Sequence, residues 1–84
     1  MNYLGTKLRE LRQSQGSLLH QIATQIDVDP ALMSKMERGE RRAQWEHIAK
    51  IATVLNTKQD DLTVLWLADR INDVYKMSLW QLRH

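Results

Sequence analysis

Apolar residues recur along this chain at helical spacing, and no stretch shows the sustained alternation of a half-buried strand. Leu4, Leu8 and Leu11 fall at i, i+4, i+7 and predict a helix over residues 3–14, with Asn2 as its N-cap and Gly16 in the left-handed conformation that ends it. A second helix is predicted to open at Ser17, again as a cap, and to bury Leu18 or Leu19, then Ile22, Ala23 and Ile26. It stops at Asp27-Val28. Asp29-Pro30 opens the next helix, with Asp as N-cap and Pro at N1, where its missing N–H costs nothing. This third helix, over residues 30–38, turns Met33 and Met36 inward and ends at Gly39. After the charged connector Glu40-Arg41-Arg42-Ala43, a fourth helix over residues 44–55 places Trp45, Ile48, Ile51, Ala52 and Leu55 on one side. A fifth starts near Lys58 and meets no Gly or Pro before the chain ends.

The fifth helix has two apolar faces. Leu62, Leu65 and Trp66 are placed to pack on the preceding helices. Val64, Leu67, Ala68, Ile71 and Tyr75 form a second stripe turned away from the first, and an uncovered stripe of this kind marks an interface, here a symmetric dimer. The alternative is that residues 77–84, with Leu79, Trp80 and Leu82, fold back as a sixth segment and cover it. The organisation expected is therefore one structural domain, with a core over residues 1–62 and a dimerising helical extension over residues 63–84.

Composition narrows the function classes. At 84 residues the core is small, and oligomerisation is a common source of additional buried area. There is no cysteine, hence no disulfide framework and no Cys-based zinc site. Net charge is only +2, but the excess is local: residues 1–56 carry eight Lys/Arg against six Asp/Glu, whereas residues 57–84 carry four of each. No apolar run reaches the length of a membrane span and no signal-peptide pattern opens the chain, which points to the cytoplasm. His20, His47 and His84 lack ligand spacing, and neither a Ser-His-Asp set nor a Gly-rich phosphate loop is present. No catalytic residue, metal, cofactor or small-molecule ligand is expected.

Residues 18–39, two short helices joined by a tight turn, carry the candidate chemistry. A helix lying in a DNA major groove reads base edges from its first turns while neighbouring segments hold phosphates. The positions of the third helix turned away from Met33 and Met36 are Pro30, Ala31, Ser34, Lys35 and Arg38. Lys35 can donate to guanine O6 and N7, the Ala31 methyl can meet a thymine methyl, and Ser34 can serve either partner. Arg38, Arg41 and Arg42 form the densest basic cluster in the chain and suit phosphate contacts, although such runs are also common as plain solvated connectors.

Several motifs in order extend this reading: Leu8-Arg9-x-Leu11-Arg12 before Gly16, Ile22-Ala23, Val28, the run from Met33 to Gly39, Ile48-x-x-Ile51-Ala52-x-x-Leu55, and Asp60-Asp61-Leu62. Together they resemble the lambda-repressor/Cro-like, or XRE-type, helix-turn-helix regulators. The continuation from Leu65 to Ile71 resembles the subgroup found beside restriction–modification or DNA methyltransferase genes. The resemblance implies an all-α, five-helix DNA-binding domain with an extended fifth helix. It also implies base reading by Pro30, Ala31, Ser34 and Lys35, phosphate contacts from Arg38 and the loop after it, and an ion pair between Arg12 and Glu37. The family often has Gln where this chain has Leu19, with Ser17 or His20 as substitutes for its phosphate clamp, and usually has Gly where this chain has Asp27. Short Pro30 and Ala31 leave readout to Lys35, arginines and DNA shape.

The function expected is a sequence-specific transcription regulator, a repressor or self-regulating controller, that binds a palindromic operator in double-stranded DNA as a homodimer. A regulatory protein is a further expected partner. The rival is a protein-interaction module, such as an antitoxin or anti-regulator, that uses the stripe on the fifth helix.

Overall fold

In the computed structural model, which describes residues 2–83 and their side chains as far as Ser78, the chain forms five helices: α1 (Tyr3–Ser14), α2 (Leu19–Gln25), α3 (Pro30–Arg38), α4 (Trp45–Val54) and α5 (Gln59–Arg83). One core joins them all. Its fully buried side chains are Leu8 of α1, Ile26 at the end of α2, Met33 of α3, Ile48 and Ile51 of α4, Leu55 just after it, and Leu62 of α5. Leu11, Leu19, Val28, Leu32, Leu65 and Trp66 pack around this centre.

The first four helices end in the same way. In each, one residue takes the left-handed conformation (Gly16, Asp27, Gly39 and Asn56) and the next N–H reaches back over the last turn. Thus Ser17 donates to the Arg12 carbonyl at 3.0 Å, Val28 to Ala23 at 2.9 Å, Glu40 to Lys35 at 2.9 Å and Thr57 to Ala52 at 2.9 Å. This arrangement satisfies carbonyls that a helix end leaves without partners. Asp27 occupies the position where glycine would be unstrained; a short polar side chain tolerates it better than most.

The same turn corrects the expected start of α2. The Ser17 carbonyl accepts from Arg12 and the first helical N–H groups go to the Leu18 carbonyl, so the N-cap of α2 is Leu18, whose side chain makes no capping bond. Gln21 Oε1 instead accepts from the Leu18 N–H at 3.2 Å. Leu18 is left exposed, and Leu19 is the one that packs on the core. Trp45 also departs from its expected burial, lying about half exposed at the start of α4, with its ring 5.4 Å from that of Trp66.

Two polar side chains lock α1 in place. Asn2 accepts from the Gly5 N–H at 3.0 Å and donates through Nδ2 to the Glu37 carbonyl at 3.0 Å, so it caps the start of α1 and the end of α3 together. Asp69 of α5 accepts from the N–H groups of Tyr3 (2.8 Å) and Leu4 (3.0 Å), the remaining open donors of the first turn. Gly5 permits this closeness: a Cβ there would collide with Asn2 Nδ2 and with the Met36 and Glu37 carbonyl oxygens. Asp69→Ala is expected to lower stability by about 2 kcal/mol, through two lost charge-assisted bonds at a helix N-terminus. The urea midpoint measures this, and an unchanged midpoint would mean that water replaces the carboxylate without loss.

Residue 62, the expected edge of the core, lies inside α5, and the core contacts continue past it through Leu65, Trp66 and Asp69. α5 runs without a break to Arg83, so its backbone forms no sixth segment. The covering role considered for Leu79, Trp80 and Leu82 concerns side chains outside the described ones. Val64, Leu67, Ile71 and Tyr75 are exposed, as are Val74 and Met77.

Candidate functional site

α3 has one face locked inward and one open. Asp29 accepts from the Ala31 N–H at 2.7 Å, so its carboxylate is engaged as the N-cap, and Pro30 follows at the first helical position. Met33, Met36 and Glu37 are buried, and Leu32 is partly so. Pro30, Ala31, Lys35 and Arg38 are exposed and Ser34 is half-buried, so the five expected readers do share one outward surface. Their reach differs: Pro30, Ala31 and Ser34 form a low floor from which only Lys35 and Arg38 project.

Glu37 holds the inner face. Arg12 donates to it twice, Nε to Oε2 at 2.8 Å and Nη2 to Oε1 at 3.0 Å, and a third bond runs from Nη1 to the Ser17 carbonyl at 3.2 Å. With 15% of the Arg12 side chain and 4% of the Glu37 side chain exposed, this is a buried, two-pronged pair. The Arg12 pKa is raised from its ordinary value, first by the hydrogen bond to Glu37 and then by charge attraction, with burial acting against both. Arg12 therefore ties α1, the turn before α2, and α3 to a single point.

Arg38 is already occupied. Its Nη1 donates to Ser34 Oγ at 3.0 Å and its Nη2 to Glu40 Oε2 at 2.8 Å. Both partners of the ion pair are about half exposed, where such pairs contribute about 0–1 kcal/mol, so a phosphate could displace the carboxylate at little cost. Glu40 was not among the residues that the sequence pointed to. Its position is readable in retrospect, because the left-handed Gly39 turns the chain back and brings residues 38 and 40 to the same side.

The remaining candidates separate. Arg41 is exposed in the loop after α3, with its N–H 3.3 Å from the Lys35 carbonyl. Arg42 turns instead toward α5: its guanidinium lies 4.4 Å from the centre of the Trp66 ring, and Nη2 donates to the Trp66 carbonyl at 2.9 Å. Ser17 is half-buried in the turn that closes α1, whereas His20 is exposed on the first turn of α2. On α5, Val64, Leu67, Ile71 and Tyr75 are exposed and Ala68 is half-buried, an arrangement that matches the second stripe. Tyr3 of α1 borders it: a shallow depression there is lined by Tyr3, Ala68, Ile71, Asn72 and Tyr75. Among the described residues, no helix is long and apolar enough to cross a membrane.

With this geometry in hand, known proteins offer three points of likeness. A family profile described as a helix-turn-helix domain matches residues 3–65. The restriction-modification controller protein C.AhdI from Aeromonas hydrophila is similar at 31% identity over 73% of this chain and 92% of its own, with a TM-score of 0.68. The clp gene regulator ClgR from Corynebacterium glutamicum is similar in fold, at a TM-score of 0.71 and 23% identity over 96% of this chain and 86% of its own. No curated protein matches the sequence.

Proposed function

Since the chain belongs to the helix-turn-helix family of DNA-binding transcription regulators, which are not enzymes, we propose that two copies act together on a palindromic operator, as a repressor or self-regulating controller. The observation that carries this reading is the outward face of α3, where Ala31 and Lys35 are exposed beside the half-buried Ser34 and the loosely paired Arg38, on a helix whose other side is fixed by Glu37. In this reading the two copies of α3 enter successive major grooves about 34 Å apart. Lys35 donates to a guanine edge, the Ala31 methyl packs on a thymine methyl, and Pro30 and Ser34 line the floor. Arg38 and Arg41 meet phosphates, with Ser17 and His20 toward the backbone at the head of α2. Val64, Leu67, Ala68, Ile71 and Tyr75 form the contact between copies. The protein works in the cytoplasm, with DNA and its own second copy as partners and a regulatory protein as a further one.

Selection from random duplexes tests this directly. A palindromic winner is expected, and on it Lys35→Ala should lose about 1–3 kcal/mol of discrimination at one base pair. Equal losses on all sequences would remove Lys35 from the reading surface. Failure to bind any duplex at low salt would leave the stripe on α5 to a partner protein instead.

A further inference from the structure

We propose that Arg42 is a positioning residue that clasps the loop after α3 onto α5, rather than a phosphate contact like Arg41 beside it. Three contacts converge on one turn of α5. The Arg42 guanidinium stacks over the Trp66 ring, 4.4 Å from its centre. Its Nη2 donates to the Trp66 carbonyl at 2.9 Å, and the Trp66 indole Nε1 donates back to the Ala43 carbonyl at 2.7 Å. Arg42 thus holds the backbone of Trp66, and Trp66 holds that of Ala43, the residue after Arg42. Asp73, two turns on, lies 4.0 Å from Nη1; it is mostly exposed and adds little. About a third of the Arg42 side chain stays exposed, and the Trp45 ring packs on the same Trp66.

This placement matters because of what else α5 carries. At about 100° per residue, Trp66 and Asp73 lie on the side of the helix away from Val64 and Ile71. One stiff element therefore presents the apolar stripe on one side and grips the DNA-facing loop on the other. The Glu40 and Arg41 side chains spring from that loop, so Arg42 and Trp66 add a direct tie between it and α5, beside the route through Asn2, α1 and Asp69. A phosphate contact through Nη2 would require giving up the Trp66 carbonyl bond.

The inference rests on the DNA-binding reading above, and two measurements keep their failures apart. In the full chain without DNA, Arg42→Ala should speed hydrogen exchange of the Trp66 indole N–H by about tenfold, the joint effect of a lost cation–π contact and a lost hydrogen bond. Arg42→Lys keeps the charge but not the planar fork, and should behave like Ala. Unchanged exchange in both variants would overturn the clasp whether or not any duplex binds. On the selected duplex, Arg42→Ala should weaken binding up to about tenfold while leaving the slope of log affinity against log salt unchanged. Arg41→Ala should make that slope shallower by about 2 for a dimer. A slope lowered equally by Arg42→Ala, with affinity rescued by Arg42→Lys, would return Arg42 to the phosphates and refute the proposal.

Discussion

Replacing Glu37 by alanine is expected to remove about 3–5 kcal/mol of stability, because it leaves the Arg12 guanidinium in the interior without its counter-charge. Arg12 cannot respond by giving up its proton, since an arginine stays charged at any pH the fold survives. Swinging outward would break the bond from Nη1 to the Ser17 carbonyl. For a domain of this size such a loss is a large part of its whole stability. Denaturant midpoints measure it, and the double variant Arg12→Met/Glu37→Leu is the informative control. If the burden is the orphaned charge, the double variant should recover most of the loss; if it remains as unstable as Glu37→Ala, packing rather than charge is what fails. DNA binding will fall in Glu37→Ala too, although Glu37 is buried on the inner side of α3, so the defect should track the unfolded fraction and vanish at temperatures where the variant is folded.

The second large effect is expected from Leu67→Arg. In a two-fold contact between α5 helices the substitution enters twice, which places two like charges in an apolar seam. Leu67 is about half exposed in the single chain and has no role in the core, so the variant should fold normally. Sedimentation should then give a monomer. Operator binding should fall by roughly 10²–10⁴-fold, the gain that a second linked half-site supplies. An unchanged mass would place the contact between copies elsewhere. A monomer that binds the operator as tightly as the parent would remove the palindromic dimer from the account.

The local parts of this fold can be read from sequence because their signals are local. Asn2, Gly16, Asp29-Pro30 and Gly39 mark the ends of α1 and α3 through bonds within a few residues of themselves, and both helices lie where those signals put them. The apolar spacing assigns Leu8, Met33, Ile48, Ile51 and Leu55 to the core for the same reason. Ser17 shows where such reasoning breaks. A serine ahead of an apolar run looks like a cap, but the Ser17 carbonyl is held by the Arg12 side chain and α2 starts from the Leu18 carbonyl instead. What sequence spacing could not show are partnerships across long separations. Arg42 and Trp66 are 24 positions apart, and Tyr3 and Asp69 are 66 apart. Arg42 reads as one member of a basic cluster until the ring beneath it is seen. The Arg12–Glu37 pair was available only through a family likeness; no spacing rule joins positions 25 apart.

The two caps on α1 carry a consequence for how the ends of the helices close on one another. The end of α3 is closed by Asn2, but the helix that Asn2 begins is itself closed by Asp69. The first turn of α1 keeps two donors open to water until the third turn of α5 docks against it. Completion of the first turn of α1 and docking of α5 are thus one and the same contact, between residues 66 positions apart.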